Sequence, residues 1–195
     1  MTDEALMRAV RDGDVAKLGP LFERYHVRLF DFLTRVTGSR TVAEDLVQDT
    51  FMRILKYRST FRDAGAFEPW LFSIARNARA DYFRKRRPDE PLADDDMERP
   101  ADGPGPAAQF EVESEHVRLR RALMLLRVDK RELLVLARYQ DMKYEQIADI
   151  LGIEVGAVKV RVHRAIRELR DIFFQLQDRN EPWNAKSPRR TFQII

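Results

Sequence analysis

Apolar residues recur every three or four positions along most of the chain, which is the spacing of amphipathic α-helices. Residues 2–12 and 14–37 are the first two such stretches, and Gly38 supplies a stop signal after the second. The buried face predicted for the longer helix consists of Leu18, Phe22, Tyr25, Leu29, Leu33 and Val36. The same periodicity returns in later stretches, so the sequence predicts an all-α fold.

A third helix is predicted over residues 41–57. Thr41 and Glu44 have the spacing of a capping box, in which each side chain accepts the backbone N–H of the other residue. The predicted apolar face comprises Ala43, Leu46, Val47, Thr50, Ile54 and Leu55, and the outer face comprises Asp45, Gln48, Asp49, Met52 and Arg53. That outer face is either a protein-docking surface or an ordinary solvated helix surface, and the residues alone leave both interpretations open.

The next helix is predicted to begin at Pro69, after a loop over residues 61–68 that contains one glycine and two phenylalanines. Its apolar side carries Trp70, Leu71, Ile74, Ala75, Ala78 and Tyr82, and its other side carries Ser73, Arg76, Asn77, Ala80 and Arg84. Residues 76–87 hold six basic side chains against one acid, a net charge of +5. Arginines bind phosphates and aromatic rings stack on unpaired bases, so this stretch suits nucleic acid. Phe67 in the loop is either such a stacking platform or a core residue.

The composition changes abruptly after the basic helix. Residues 88–111 contain eight acids against Arg99 alone, a net charge of −7, together with five prolines and two glycines. A segment of this composition cannot bury a core, and it is typical of an extended or disordered linker. We therefore expect two small helical domains, residues 1–87 and 112–177, joined by an acidic Pro/Gly-rich linker and followed by a flexible basic tail over residues 178–195.

Two helices in the second domain are joined by a short turn that contains Gly152, which is the pattern of a helix-turn-helix. The second helix begins near Val155 and directs Val158, Val162, Ala165, Ile166 and Leu169 inward. A recognition helix contacts base edges in the major groove with its N-terminal half. The candidates for base contacts are Val160, His163 and Arg164, and those for phosphate contacts are Lys159, Arg161 and Arg167. A plain surface histidine explains His163 equally well.

The composition also argues against several classes of protein. The chain has no cysteine, and its three histidines are far apart, so we expect no disulfide, metal site or cofactor. No catalytic constellation is visible, and we do not expect an enzyme. No apolar run approaches the roughly 20 residues of a membrane span, and the N-terminus lacks a secretion signal. We expect a cytoplasmic protein.

Four stretches, taken together, resemble a bacterial sigma factor of the extracytoplasmic-function (ECF) type. Residues 43–51 are similar to the family's core-polymerase-binding helix, and residues 67–82 to its −10-reading loop and helix. The acidic linker stands where the family threads a connector through the polymerase channel. Residues 144–161 are similar to the −35-reading helix-turn-helix, although Ala157 and Val160 replace the threonine and serine that are common there.

The resemblance implies a protein that binds core RNA polymerase, recognises −10 and −35 promoter elements and promotes strand opening, while the polymerase makes the bonds. It implies −35 contacts from the recognition-helix residues named above. The −10 contacts would come from Phe67, Arg76, Asn77, Ala80 and Arg84, and the polymerase contacts from Asp45, Gln48, Asp49, Met52 and Arg53. The implied partners are core polymerase, promoter DNA (duplex at −35 and a melted strand at −10) and an anti-sigma factor.

Two other functions are compatible with parts of the chain. A stand-alone helix-turn-helix regulator would bind duplex DNA without polymerase, but it leaves residues 43–87 unexplained. A module that only binds polymerase, without contacting DNA, leaves the basic face of the recognition helix unexplained. Co-purification with core polymerase followed by run-off transcription separates the three.

Overall fold

A computed structural model gives the structure of the chain; it describes residues 1–62, 65–85 and 106–180, except for the side chains of residues 106–114 and 178–180. Within these ranges the secondary structure is helical and contains no β-strand. The α-helices are α1 (Asp3–Arg11), α2 (Leu18–Thr37), α3 (Arg40–Tyr57), α4 (Phe67–Lys85), α5 (Pro106–Leu125), α6 (Val128–Arg138), α7 (Tyr144–Leu151) and α8 (Val155–Asn180). Short 3₁₀-helices, Val15–Lys17 and Arg58–Thr60, precede α2 and follow α3.

Local capping signals set the ends of the first helices. The Thr2 hydroxyl accepts the Ala5 N–H at the start of α1. Gly38 ends α2 with a φ of 77°, a left-handed conformation that glycine adopts readily. Ser39 then caps α3 by accepting the Val42 N–H at 3.3 Å. The predicted capping box at residues 41 and 44 is therefore wrong, because Ser39 directly follows the glycine stop and already occupies the cap position.

The buried surface of α2 is wider than one helical stripe. Leu21 and Phe32 are fully buried, although neither belongs to the predicted face. Phe22, which was predicted to be buried, is 37% exposed and stacks on His26 with the ring centroids 4.8 Å apart. The cause is the position of α2, which contacts α1, α3 and α4 and also reaches α6. A helix with neighbours on several sides buries residues that a two-sided pattern assigns to solvent.

Helices α5–α8 form a second unit around the predicted helix-turn-helix. Gly152 ends α7 with a φ of 64°, and α8 begins three residues later at Val155, so this prediction is confirmed. Helix α5 begins at Pro106, before the predicted end of the linker at residue 111. Residues 86–105, which hold most of the predicted linker, and residues 181–195 of the predicted tail lie outside the described ranges.

The two units pack directly against each other, with α2 on α6 and α4 on α7. Arg131 of α6 is buried at this joint and donates to the backbone oxygen of Val36, in the last turn of α2, at 2.6 Å. Carbonyls in a last turn lack intrahelical partners, so a cation there is favourable. Burial lowers the pKa of Arg131, and the nearby Arg79 lowers it further. The sequence predicts a linker between the units but gives no indication of this direct contact.

Candidate nucleic-acid interface

The recognition helix α8 separates its faces as its sequence predicts. Val158, Val162 and Ala165 are buried against α5, α6 and α7. The six candidate DNA contacts all lie on the exposed side: Lys159, Val160, Arg161, His163, Arg164 and Arg167. This face is uncovered even though the two units are packed together. It has the exposure and the positive charge that docking into a major groove requires.

Phe67 does not lie in a loop. It is the first residue of α4, and its side chain is fully buried. Its ring meets that of Tyr25 edge-on at 5.3 Å and also contacts the rings of Phe61 and Trp70. A ring enclosed by three others offers no free face to a base. In this conformation Phe67 is a core residue, so the base-stacking interpretation is corrected in favour of its alternative.

The other candidates on α4 fall into two groups. Asn77, Ala80 and Arg84 are exposed, as a DNA-facing surface requires. Arg76 is half-buried, and its Nε donates to Glu132 Oε2 of α6 at 2.9 Å. Arg76 is therefore engaged across the joint between the two units, and in this conformation it is not presented to DNA.

Two residues at this joint were missed by sequence reasoning. Arg79 Nε lies 2.7 Å from Glu132 Oε1, and the Glu132 side chain is only 2% exposed. Arg79 stands one helical turn after Arg76, a spacing that could have placed both on one face of the helix. Glu132 gives no such signal, because it ends a run of charged residues, 129–132, and looks like an ordinary surface acid.

Only part of the predicted outer face of α3 is exposed and available to a partner. Asp45, Gln48 and Met52 are exposed, the Met52 side chain at 66%. Arg53 instead bonds to Asp49 at 2.9 Å and to Asp81 of α4 at 2.7 Å. Burial alone would lower the pKa of Arg53, but the bonds to Asp81 and Asp49 outweigh it and raise that pKa. Arg53 and Asp49 therefore hold α3 to α4, and a partner protein would meet mainly the other three residues.

In the described part of the chain, no group of three or more histidine, aspartate or glutamate side chains is arranged to hold a metal ion. No helix in these ranges combines the length and the hydrophobicity that crossing a bilayer requires.

Each of the two units matches a known protein family. The family model for Sigma-70 region 2 matches residues 21–88, and that for Sigma-70 region 4 matches residues 116–169. The RNA polymerase sigma factor CarQ of Myxococcus xanthus is 33% identical over 88% of this chain and 97% of its own. The ECF RNA polymerase sigma factor RpoE of Cereibacter sphaeroides is also 33% identical, over 85% of this chain and 92% of its own.

A solved structure extends the match to three dimensions. The sigma factor RpoE of Bartonella quintana, solved in complex with the anti-sigma factor NepR, superposes with a TM-score of 0.64 at 27% identity. The superposition covers 80% of this chain and 96% of that one. A match to region 2 is not expected of a stand-alone helix-turn-helix regulator. The chain belongs to the extracytoplasmic-function (ECF) family of RNA polymerase sigma factors, which are initiation factors and not enzymes.

Proposed function

We propose that the exposed face of α8 reads the −35 element, that α4 contacts the −10 element and that α3 docks on core RNA polymerase. The observation that carries this assignment is the division of α8 into a buried apolar stripe and an exposed basic face. All six candidate side chains lie on that one face, four of them lysine or arginine.

At the −35 element, Arg164 and its exposed neighbours on α8 meet base edges. Arginine bound to guanine through two hydrogen bonds discriminates against a wrong base by about 1–3 kcal/mol. Val160, half-exposed at 49%, is suited to apolar contact with a thymine methyl group. Lys159, Arg161 and Arg167 hold the flanking phosphates, which fixes the register of the helix without reading sequence.

At the −10 element, Asn77, Ala80 and Arg84 are the accessible residues of α4. An asparagine side chain can donate to and accept from one base edge, whereas Ala80 leaves room for a base or sugar to approach the helix. Arg84 is 2.8 Å from Asp81, with its own side chain 76% exposed. Arg84 therefore remains close enough to solvent to exchange this weak surface pair for a phosphate.

The docking surface on α3 consists of Asp45, Gln48 and Met52. A flexible methionine among polar residues adapts to the shape of a partner surface, and its burial supplies hydrophobic binding energy. The protein acts where the polymerase is, in the cytoplasm. An anti-sigma factor is a further partner, since the structurally similar RpoE of Bartonella quintana was solved bound to one.

In vitro transcription tests this function. Core polymerase is mixed with the purified chain and genomic DNA of the source organism, and RNA 5′ ends are mapped. We expect new start sites that share two upstream elements and that require both proteins. Absence of new start sites would contradict the proposal, as would tight sequence-specific duplex binding by the chain without polymerase.

A further inference from the structure

The joint between the two units contains a carboxylate held by two arginines. Glu132 of α6 is almost completely buried, and Arg76 and Arg79 of α4 both reach it. The two arginine side chains are 33% and 13% exposed, so the charges are largely withdrawn from water. A buried carboxylate is strongly unfavourable unless cations compensate it. This cluster, named here the Glu132 clasp, therefore links the two units through paired, largely buried charges.

The hydrogen bonding within the Glu132 clasp is incomplete. Arg76 donates a well-formed hydrogen bond to one oxygen of Glu132. Arg79 Nε and the other Glu132 oxygen are 2.7 Å apart, yet both are buried atoms without a hydrogen-bond partner. Their contact is thus an ion pair whose geometry does not allow a hydrogen bond. Buried polar atoms left in this condition make the closed state less stable than a complete bidentate pair would.

The clasp lies beside the exposed residues of α4. Arg76 lies one turn before Arg79 and also one turn before Ala80, an exposed residue of the proposed −10 surface. A carboxylate bound by two guanidinium groups has the charge and the hydrogen-bonding pattern of a backbone phosphate bound in the same way. The two guanidinium groups that hold Glu132 are therefore chemically suited to a backbone phosphate.

We propose that Arg76 and Arg79 form a phosphate-binding site for the −10 strand, and that Glu132 occupies this site until the two units separate. The inference rests on the proposed function, since it takes α4 to be the −10 surface. DNA and Glu132 compete for the same two arginines, so binding of one excludes the other. The free chain is then closed and binds single strands weakly, whereas the opened chain presents both arginines.

The test measures binding of fluorescein-labelled oligothymidine to the full chain by fluorescence anisotropy, without polymerase. Glu132→Gln keeps the shape of the side chain and removes its charge. We expect the affinity for oligothymidine to rise at least about tenfold. The reason is that the open state, populated at about 10% or less in the wild-type chain, becomes the major state in the variant. The log–log salt dependence should steepen by about 0.7, as expected for one added phosphate contact on a single strand.

Two control proteins show where the gain comes from. Glu145→Gln removes an equal charge from an exposed position on α7, and we expect its affinity to stay within about twofold of wild type. Glu132→Gln combined with Arg76→Gln and Arg79→Gln should lose the gain. A folded Glu132→Gln protein with wild-type affinity and salt dependence would overturn the proposal. An equal gain in Glu145→Gln would do the same.

A second measurement avoids the substitution at Glu132, which could destabilise the fold. The chain has no cysteine, so Ser59→Cys and Gln175→Cys provide two exposed sites for spin labels, one on each unit. Saturating oligothymidine should lengthen the distance between the labels. An unchanged distance at saturation would refute the competition. A wild-type chain that directs transcription but fails this test disproves the inference alone, whereas absence of transcription disproves the proposed function.

Discussion

At the scale of single residues, the charges on α4 serve two different purposes. Arg53 of α3 bonds to Asp81 of α4, and the same bond holds the pKa of Asp81 below its ordinary value. That pair fixes the position of one helix against the next. Arg76 and Arg79 instead reach across to the second unit. Charged residues of α4 therefore differ in role according to the partner that the fold places beside them.

Phe67 provides a residue-scale prediction about stability. Phe67→Ala removes a fully buried ring, so we expect it to lower the free energy of unfolding by about 3–5 kcal/mol. Phe22→Ala is the matched control, because that ring is 37% exposed and should lose clearly less. Urea unfolding followed by circular dichroism measures both. If the two variants are equally stable, Phe67 is not a core residue, and the interpretation that a base stacks on its ring is favoured again.

A second residue-scale prediction separates base contacts from phosphate contacts on α8. Arg164→Ala should relax the preference at one −35 position by about 1–3 kcal/mol and leave the other positions unchanged. Lys159→Ala should weaken binding to every sequence and reduce the slope of the salt dependence by about 1. Reconstituted holoenzyme is assayed against a promoter library at several salt concentrations. Indistinguishable profiles for the two variants would refute the division.

At the scale of elements, the sequence predicts helices well and their surroundings poorly. The turn at Gly152 and the faces of α8 are determined by residues close together in sequence, and both predictions are confirmed. The sequence predicts a loop at Phe67 because Pro69 marks the predicted start of the helix, and it leaves the burial of Phe67 open because the covering ring of Tyr25 comes from a distant helix. Arg76 was predicted to be free because its partner, Glu132, is 56 residues away. Periodicity reports which face of a helix is buried, but it does not identify the neighbour.

The outer face of α3 provides the element-scale prediction. Gln48→Ala combined with Met52→Ala removes two exposed side chains and should weaken competition for core polymerase at least about tenfold, the loss of about 1.4 kcal/mol. Asp49 is left intact because it holds Arg53. The control is Glu23→Ala with Val27→Ala, an exposed polar and apolar pair on α2. If both double variants compete as well as wild type, α3 does not dock on the polymerase.

At the scale of the whole molecule, closure and promoter binding exclude each other. Two elements separated by about 25 base pairs lie about 85 Å apart on straight duplex, at about 3.4 Å per pair. A domain of about 80 residues has a radius of gyration of about 12 Å, so two in contact extend over about 60 Å. The closed chain is therefore too short to reach both elements. Polymerase must bind an opened chain, and contacts between the units oppose that step.

One contact between the units involves none of the proposed DNA-binding residues. The Arg35 guanidinium of α2 stands over the Tyr139 ring, beyond the end of α6, at 4.1 Å. Such a contact contributes about 1 kcal/mol, so Tyr139→Ala should raise the ratio of open to closed chains about fivefold. Spin-label distances between positions 59 and 175 report that ratio, first in the free chain and then with core polymerase.

Tyr57→Ala serves as the matched control, since Tyr57 is a similarly exposed tyrosine within the first unit. Its distance distribution should match that of wild type. With saturating core polymerase, every variant should converge on one long distance, because the holoenzyme holds the units apart. Tyr139→Ala should reach that state at a lower polymerase concentration, since less free energy is needed to open it. A polymerase-bound wild-type chain that keeps the short distance would show that closure does not oppose assembly, and the contacts around Tyr139 and Glu132 would then serve stability alone.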